Sequence, residues 1–434
     1  MSSKFIMFAA GNTGGGLQAG VFRDTSNPGF AGNMYDATTD TITVTAFHSS
    51  KSWFINIDAP SMSVNWIKTP TFSGATGLYP TGIGVNSAGN FVFSGYNTSG
   101  TPYRSFFQIL NPSGTALTAA GQTSYYGIQY APMIDTNAGY MGAVSAFAQN
   151  FTSQHNVYGV SDTLATATHS SIYNSGIYGS GNGGLGPSDK LQYADGTFCA
   201  NFKARNSSLG SYAGSMNVTY GASAGRCFYN LSQGYADDFA AGKTNSTMYH
   251  SFWVYNGNYY SAYCAYNTSG TKLWEKSTGA ASANASQSIA VNPSEDAGIL
   301  AKSEPVAAAS RTTYICLFNP ANGVISKYIH ITKASGTTQA YPTGLHFIDD
   351  DTLMVSINSD DGGYLIILDV TNFPANGTYN NLTFTNGTGD PFSHANSSYS
   401  SSSTGSQGTT GVISGSYGTL SLANGTSTDS FVTT

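Results

Sequence analysis

The sequence predicts an all-β fold, and three observations lead to that prediction. Tyr and Phe, which favour strands, number 29 and 24 in a chain of 434 residues. Asp, Glu, Lys and Arg make up only 9% of the chain, far below the roughly 25% of ordinary globular domains. Gly residues number 51, and with abundant Ser, Thr and Asn they favour tight turns over helices. Short strands joined by tight turns fit this composition.

A segment with the pattern strand, turn, strand recurs along the chain. Residues 79–94 (YPTGIGVNSAGNFVFS) are matched by residues 341–356 (YPTGLHFIDDDTLMVS) and more weakly by residues 288–300. In each copy an alternating strand meets a polar turn and continues as a second strand, which is the pattern of a β-hairpin. The recurrence indicates a repeat protein.

A second element of the repeat gives its period. Apolar strands followed by Asn-containing turns recur with turn glycines at Gly114, Gly270 and Gly323. Gly114 and Gly270 lie 156 residues apart, about three steps of 52, and Gly323 follows Gly270 by 53 residues. Steps of the same length fall on further turn-forming residues, namely Pro60-Ser61, Asp162-Thr163, Gly221–Gly225 and Asn376-Gly377. The spacing therefore predicts seven repeats.

A period near 50 residues with about four strands per repeat predicts a β-propeller of about seven four-stranded blades over residues 1–386. One blade cannot bury its apolar faces alone, so the ring of blades must close. We expect residues 4–9 to form a strand that completes the last blade. An array of β-sandwiches or a β-helix is the alternative.

Two segments fall outside the repeat. Residues 176–188 are rich in glycine and predict a loop inserted between blades. Residues 387–434 predict an extended Gly/Ser/Thr-rich C-terminal arm, in which residues 394–411 have the composition of a flexible linker. Apolar residues return between 412 and 432, so we expect the arm to dock on a neighbour by strand addition.

Charge and cysteine content limit the classes of function. The net charge of −6 and the absence of a Lys/Arg cluster predict no nucleic acid partner. No apolar window of 18 residues is present, which predicts no membrane span, and the first residues lack the long apolar run of a signal peptide. The 4 cysteines are widely spaced, which favours a reducing compartment.

Two stretches resemble the repeat of bacterial and phage β-propeller proteins. They are residues 85–95 (VNSAGNFVFSG) and 264–274 (CAYNTSGTKLW), and the repeat has the pattern V-D-S-x-G-N-x-Y-x-x-G followed by L-x-K-Y-N-x-S-G-T-x-x-W. The clear copies lie between residues 79 and 356. The low charge, the Ser/Thr/Gly-rich style and the trailing arm look like virion appendage proteins of tailed phages.

This resemblance implies a structural component of a phage virion, such as a tail fibre or baseplate protein. A protein of that kind is made in the host cytoplasm and resides in the virion. We therefore expect other virion structural proteins as partners, a homo-oligomer, and contact with a host-surface glycan.

Two glycine motifs lack the context that catalysis or cofactor binding would need. Residues 179–184 fit G-x-G-x-x-G, but Leu-Gly-Pro follows and no helix can begin there to meet a pyrophosphate. Residues 221–225 fit G-x-S-x-G, but they lie between two predicted strands, which favours a hairpin over a nucleophile elbow. We expect no cofactor and no catalytic activity.

Acidic residues in two predicted turns are weak candidates for a Ca²⁺ site, because Ca²⁺ prefers hard oxygen ligands. These candidates are Asp349, Asp350, Asp351, Asp360 and Asp361. Asp is also favoured in hairpin turns for its backbone geometry, and that interpretation competes with metal binding.

Two further functions stay open. Tyr-rich stretches at residues 125–126 and 255–260 suit a carbohydrate-binding lectin or adhesin, because tyrosine rings stack on sugar faces. Paired carboxylates also suit a propeller glycosidase. The few arginines share no repeat position, which argues against sialidase-like chemistry.

Overall fold

The computed structural model of the chain describes every element as a β-strand. We number 32 strands in chain order. The described residues are 17–23, 28–49, 51–72, 78–85, 89–97, 104–117, 120–126, 128–135, 140–146, 154–161, 167–173, 197–206, 210–219, 224–241, 247–255, 259–267, 271–281, 287–307, 310–334, 340–379, 381–392, 401–412, 416–418, 420–426 and 429–433. Within these ranges there is no helix, and so none that could cross a membrane. The predicted all-β class is confirmed.

The first two sheets are antiparallel meanders of four consecutive strands, each with one further strand from the C-terminal part of the chain. Sheet 1 has the order β2-β3-β4-β5-β31 and sheet 2 the order β6-β7-β8-β9-β30. The strands of sheet 1 are β2 (Gly29–Asp36), β3 (Thr41–His48), β4 (Lys51–Asp58), β5 (Ser63–Phe72) and β31 (Leu420–Asn424). Those of sheet 2 are β6 (Leu78–Val85), β7 (Phe91–Asn97), β8 (Arg104–Leu110), β9 (Ala120–Tyr126) and β30 (Ser416–Gly418).

Sheet 3 is larger, with 11 strands. Its longest path has the order β10-β11-β12-β13-β29-β16-β17-β18-β19, and β14 joins β16 through β15. The strands are β10 (Ile128–Asp135), β11 (Tyr140–Ala146), β12 (Gln154–Ser161), β13 (Ala167–Tyr173), β14 (Thr197–Asn206), β15 (Gly210–Thr219), β16 (Ala224–Ala241), β17 (Thr247–Tyr255), β18 (Tyr259–Asn267), β19 (Lys272–Ala281) and β29 (Ser401–Val412).

The last two sheets again begin with consecutive strands. Sheet 4 has the order β20-β21-β22-β23-β28-β27, and sheet 5 has the order β24-β25-β26-β1-β32. The strands of sheet 4 are β20 (Gln287–Val291), β21 (Gly298–Ala307), β22 (Ser310–Phe318), β23 (Ile325–Lys333), β27 (Gly377–Tyr379) and β28 (Leu382–Thr388). Those of sheet 5 are β24 (Ala340–Phe347), β25 (Thr352–Ser359), β26 (Gly362–Asp369), β1 (Leu17–Arg23) and β32 (Ser430–Thr433).

An N-terminal strand completes sheet 5, but it is not the strand that the sequence predicted. β1 pairs antiparallel with β26, from Leu17 opposite Leu368 to Phe22 opposite Gly363. The predicted closing strand, residues 4–9, lies outside the described residues. The structure therefore places β1 in the last sheet, and the strand at residues 4–9 stays a prediction.

Apolar side chains pack between neighbouring sheets. β2 of sheet 1 contacts β24 of sheet 5 and β6 of sheet 2, and β20 of sheet 4 contacts β24 of sheet 5 and β16 of sheet 3. β25 and β26 are buried on both faces, because each lies between two neighbouring sheets. Four-stranded meanders stacked face to face in this way are the arrangement of a β-propeller, and the predicted repeat architecture is confirmed at that level.

The C-terminal strands add to the outer edges of sheets that belong to the same chain. β28 pairs with β23, β29 with β16 and β13, β30 with β9, β31 with β5, and β32 with β1. The predicted boundary between residues 386 and 387 falls inside β28. Residues 401–411, which composition predicts as linker, belong to β29, so that interpretation is wrong for them. The predicted loop at residues 176–188 lies outside the described residues.

Candidate functional site

The five acidic candidates lie at opposite ends of one strand. Asp349, Asp350 and Asp351 form the turn that precedes β25, and Asp360 and Asp361 form the turn that follows it. At ~3.3 Å per residue, the nine steps from Asp351 to Asp360 separate the two turns by about 30 Å. One ion or one pair of catalytic carboxylates cannot use both turns, because glycosidase carboxylates lie roughly 5–10 Å apart.

The carboxylates of the first turn are engaged with the backbone and with sheet 4. Asp349 Oδ1 accepts hydrogen bonds from the backbone N–H of Asp351 at 3.0 Å and of Thr352 at 2.7 Å. Asp350 reaches the neighbouring hairpin, where Ser294 donates its backbone N–H at 2.8 Å and its hydroxyl at 2.7 Å. Both carboxylates therefore fix turns and the contact between sheets 5 and 4.

Negative charge accumulates around this turn. Desolvation, followed by the negative charges of Asp349, Asp369, Asp350 and Asp296, raises the pKa of Asp351. Burial and a hydrogen bond to Asp40 raise the pKa of the Tyr35 hydroxyl on neighbouring sheet 1.

The second turn pairs with a lysine. Lys333 Nζ contacts Asp360 Oδ1 and lies 3.5 Å from Asp361 Oδ1. Burial works to raise the pKa of Asp361. Hydrogen bonds from Asn381 and Tyr364 and the Lys333 ammonium outweigh it, so the pKa lies below its ordinary value. Within the described ranges, no group of three or more His, Cys, Asp or Glu side chains is arranged to hold a metal ion.

The other predicted motifs fall in turns or outside the described residues. The strands on either side of residues 220–223, β15 and β16, pair antiparallel with Val218 opposite Gly225, so the hairpin expected around the G-x-S-x-G motif is found. Residues 179–184 lie outside the described residues. The side chains of the Tyr-rich stretches at 125–126 and 255–260 lie outside the described side chains.

The repeat motif places a tryptophan against the next sheet. Trp66 of β5 donates its indole N–H to the carbonyl of Pro112 at 2.8 Å, in the turn after β8. Trp274 of β19 does the same to Pro320 at 2.7 Å, in the turn after β22. In each case a strand of one sheet holds the Asn-Pro turn of the following sheet.

The turn glycines of the motif have a packing role. Gly114 and Gly323 have φ of 76° and 69°, a conformation that favours glycine. A Cβ at Gly323 would lie 2.6 Å from the Trp274 ring, and one at Gly114 would lie 2.9 Å from the Trp66 ring. Glycine is required at these two turns both for the backbone and for the close approach of the indole.

We call the contact between two successive sheets a seam. At two further seams, a residue other than tryptophan donates the equivalent hydrogen bond to the following sheet. Lys327 of β23 donates to the carbonyl of Thr371 at 2.7 Å, and its ammonium lies 4.5 Å from the centroid of the Phe373 ring. Gln18 of β1 donates to the carbonyl of Pro60 at 3.2 Å. The position is therefore part of the repeat, although only two of its four described donors are tryptophan.

A second set of bonds ties sheets 1, 4 and 5 to the first strand of the following sheet. Ser52 donates to the carbonyl of Leu78, and Thr313 donates to that of Ala340 at 2.8 Å. Asn358 uses both ends of its amide: it accepts from Phe30 N at 2.6 Å and donates to Phe30 O at 2.9 Å. These bonds satisfy buried backbone groups at the start of a strand.

Polar residues also lie in the seam between sheets 3 and 4. Lys302 is fully buried, forms an ion pair with Glu304 and lies 4.5 Å from the centroid of the Phe392 ring. Burial lowers the pKa of Lys302, and Glu304 opposes that shift. Tyr314 stacks on His330 with ring centroids 4.3 Å apart. Phe392 packs edge-on against Tyr314 with ring centroids 5.4 Å apart, so it contacts both Lys302 and the stacked rings.

Sequence reasoning missed the donors in the seams and Asp429, which anchors the C-terminal strands. The signal for the tryptophans is present in the sequence: Trp66 and Trp274 each precede an Asn-Pro proline by 46 residues. The bonds of Asn358 to Phe30 and of Asp429 to Trp53 have no local signal, because each joins residues more than 300 positions apart in the chain.

Comparison with known proteins gives no matching protein family and no matching curated protein. Solved structures do match. The β-propeller domain of Swd1 from Myceliophteria thermophila is 7% identical, with a TM-score of 0.49 over 81% of this chain and 99% of that chain. An apocarotenoid oxygenase from Synechocystis is 9% identical, with a TM-score of 0.42 over 68% and 69%. The WD40 domain of SCAP from fission yeast is 9% identical, with a TM-score of 0.29 over 79% and 84%.

Proposed function

We propose that the chain forms a seven-bladed β-propeller whose C-terminal arm adds a fifth strand to most of its blades. Sheets 1, 2, 4 and 5 are one blade each, and sheet 3 combines three. Its blades are β10–β13, β14–β15 with the first half of β16, and the second half of β16 with β17–β19. The pairing of β29 with β13 and β16, which merges them, supports this division. The period of about 52 residues in the sequence predicts the same number.

We propose further that this propeller is a non-catalytic structural component of a phage virion, in a tail fibre, baseplate or other appendage. The observation that carries the structural role is the coverage of outer sheet edges by strands of the same chain. The C-terminal strands occupy the edges at which another protein could pair with the meanders, and the short strands β30, β31 and β32 become the edges of sheets 2, 1 and 5. The virion location rests on the resemblance of the sequence to phage appendage proteins.

Mass spectrometry of purified phage particles, with immunogold labelling for position, tests the virion role. We expect the chain in the particles and the label on the tail or fibres. Absence from particles would refute the virion role and favour a free lectin or adhesin. Light scattering of the purified chain tests the proposed homo-oligomer.

Carbohydrate binding by the same propeller remains the second candidate. It rests on the Tyr-rich stretches of the sequence, and a glycan array with host polysaccharides tests it. Cleavage of those polysaccharides, with Asp349, Asp350 and Asp351 replaced by Ala as the control, tests the less favoured glycosidase.

A further inference from the structure

The end of the chain is bonded to both sheets that meet at the closing seam, the contact between sheets 5 and 1. β31 pairs with β5 of sheet 1, and β32 pairs with β1 of sheet 5. We call residues 420–426 and 429–433 the clasp. β1 has β26 on one side and β32 on the other, so the C-terminal clasp covers the N-terminal strand that completes sheet 5.

A buried carboxylate anchors the clasp. The side chain of Asp429 is 0% exposed and lies 3.4 Å from Lys51 Nζ. Its Oδ1 accepts the indole N–H of Trp53 at 2.9 Å, and its Oδ2 accepts the backbone N–H of Thr426 at 2.6 Å and its hydroxyl at 3.0 Å. A buried carboxylate is destabilising unless its oxygens are hydrogen-bonded, and these donors satisfy both oxygens of Asp429.

The anchor is linked by contacts to the closing strand. The Trp53 ring packs edge-on against Phe22 of β1 with centroids 5.6 Å apart, and Phe22 stacks on Phe30 of β2 at 6.4 Å. Phe431 of the clasp occupies the space beside Gly20, also in β1, where a side chain would otherwise lie. Asp429 therefore fixes the indole that packs on β1, and Phe431 covers β1 directly.

The rest of the fold does not depend on the clasp in the same way. Without β31, sheet 1 keeps four consecutive strands. Sheet 5 keeps only three consecutive strands, and β1 is held to them through its pairing with β26. Loss of the clasp therefore weakens the attachment of β1 more than that of any strand in sheet 1.

We propose that the clasp is a strap that controls local opening of the N-terminal strand β1, an inference that rests on the propeller part of the proposed function. When it is paired with β1 and β5, the clasp holds β1 in sheet 5. When the clasp detaches, β1 can leave sheet 5, while the bonds between Asn358 and Phe30 keep β25 against β2.

Hydrogen exchange of the full chain tests this proposal. The variant is Asp429→Ala, and the matched control is Phe392→Ala, at the other end of the arm. In Asp429→Ala we expect exchange of the amides of β1 and β32 to rise about tenfold, with β21 and β22 unchanged. In Phe392→Ala we expect faster exchange in β21 and β22 and an unchanged β1. Unchanged exchange of β1 in Asp429→Ala, or equal acceleration in every sheet, would overturn the proposal.

Phe431→Ala is the second variant, for the case that Asp429→Ala does not fold. It removes the cover over Gly20 but keeps the carboxylate anchor, and we expect the same local acceleration in β1. The readout is independent of the virion role. Absence of the chain from phage particles leaves the exchange pattern intact, and a uniform exchange pattern leaves the virion role untouched.

Discussion

The closing seam and the seam between sheets 3 and 4 use the same repeat position with different chemistry. At the seam between sheets 3 and 4, Trp274 donates to Pro320 at 2.7 Å. Tyr263 and Phe318 pack around that indole, with centroids 5.5 Å and 5.9 Å away. At the closing seam, Gln18 makes the equivalent bond at 3.2 Å and brings no aromatic ring.

The closing seam has other polar bonds in compensation. The Asn358 amide pairs with both backbone groups of Phe30, and Asn33 donates to Ser356 at 2.8 Å. The clasp adds the Asp429 anchor. Where the two ends of the chain meet, specific buried hydrogen bonds therefore add to the packing of Phe22 against Trp53 and Phe30.

Among the variants that test this comparison, we expect the largest loss of stability from Asn358→Ala. It leaves the buried N–H and C=O of Phe30 without their partner, so we expect the free energy of unfolding to fall by about 3 kcal/mol. Thr313→Val is the matched control, since it removes one bond to Ala340 in the seam between sheets 4 and 5, and we expect a loss of about 1 kcal/mol. Urea unfolding measures both. Equal losses would show that the closing seam has no special dependence on side-chain bonds.

The strands and turns that recur with the repeat could be predicted from the sequence. Period and turn residues located the strands and the hairpins, because turn chemistry is local. The turn at Gly323 is an example: its Asn-Pro pair and its glycine mark it in the sequence, and the backbone has the positive φ that glycine favours. The same local logic predicted Asp349 to Asp351 and Asp360 to Asp361 as turns.

The contacts at the closing seam could not be predicted in the same way. β1, Asn358 and Asp429 act on partners from the other end of the chain, and a single sequence contains no signal for such distant pairs. The arm was expected to dock by strand addition, but its composition pointed to a linker where β29 forms. Backbone pairing is indifferent to side-chain type, so Ser- and Gly-rich segments can form outer strands.

Trp274→Phe tests the other side of the comparison. The ring is kept, but the carbonyl of Pro320 loses its donor and the smaller ring leaves a gap beside Tyr263, so we expect a loss of about 2 kcal/mol. Trp66→Phe is the matched variant in the other copy of the motif. Its bond lies at the surface, where water can replace the indole, and we expect about 1 kcal/mol or less. Thermal and urea unfolding of both variants measure the difference, and a larger loss for Trp66→Phe would contradict it.

Acid should weaken sheet 3 through His250. This histidine is buried, and burial lowers its pKa from 6.5 to about 3. The unfolded chain takes up a proton as the pH falls below 6.5 and the folded chain does not, so stability is lost from there towards pH 3. Between pH 7 and 5.5 we expect a loss of about 1 kcal/mol from this group. His250→Gln should remove that increment from the pH dependence of urea unfolding, and an unchanged slope would contradict the assignment.

We expect the smallest effect from Gln18→Met. This variant tests how much stability the closing seam gains from the hydrogen bond that tryptophan makes at other seams. The side chain keeps its length, while the 3.2 Å bond to Pro60 is lost together with an amide oxygen that has no partner. Loss of a long, partly exposed bond and removal of an unsatisfied oxygen offset each other, so we expect a change within about 0.5 kcal/mol. A loss as large as that of Trp274→Phe would show that Gln18 is a full substitute for tryptophan. The closing seam would then be held at the same position as the others, with the Asn358 bonds and the clasp as additions to that contact.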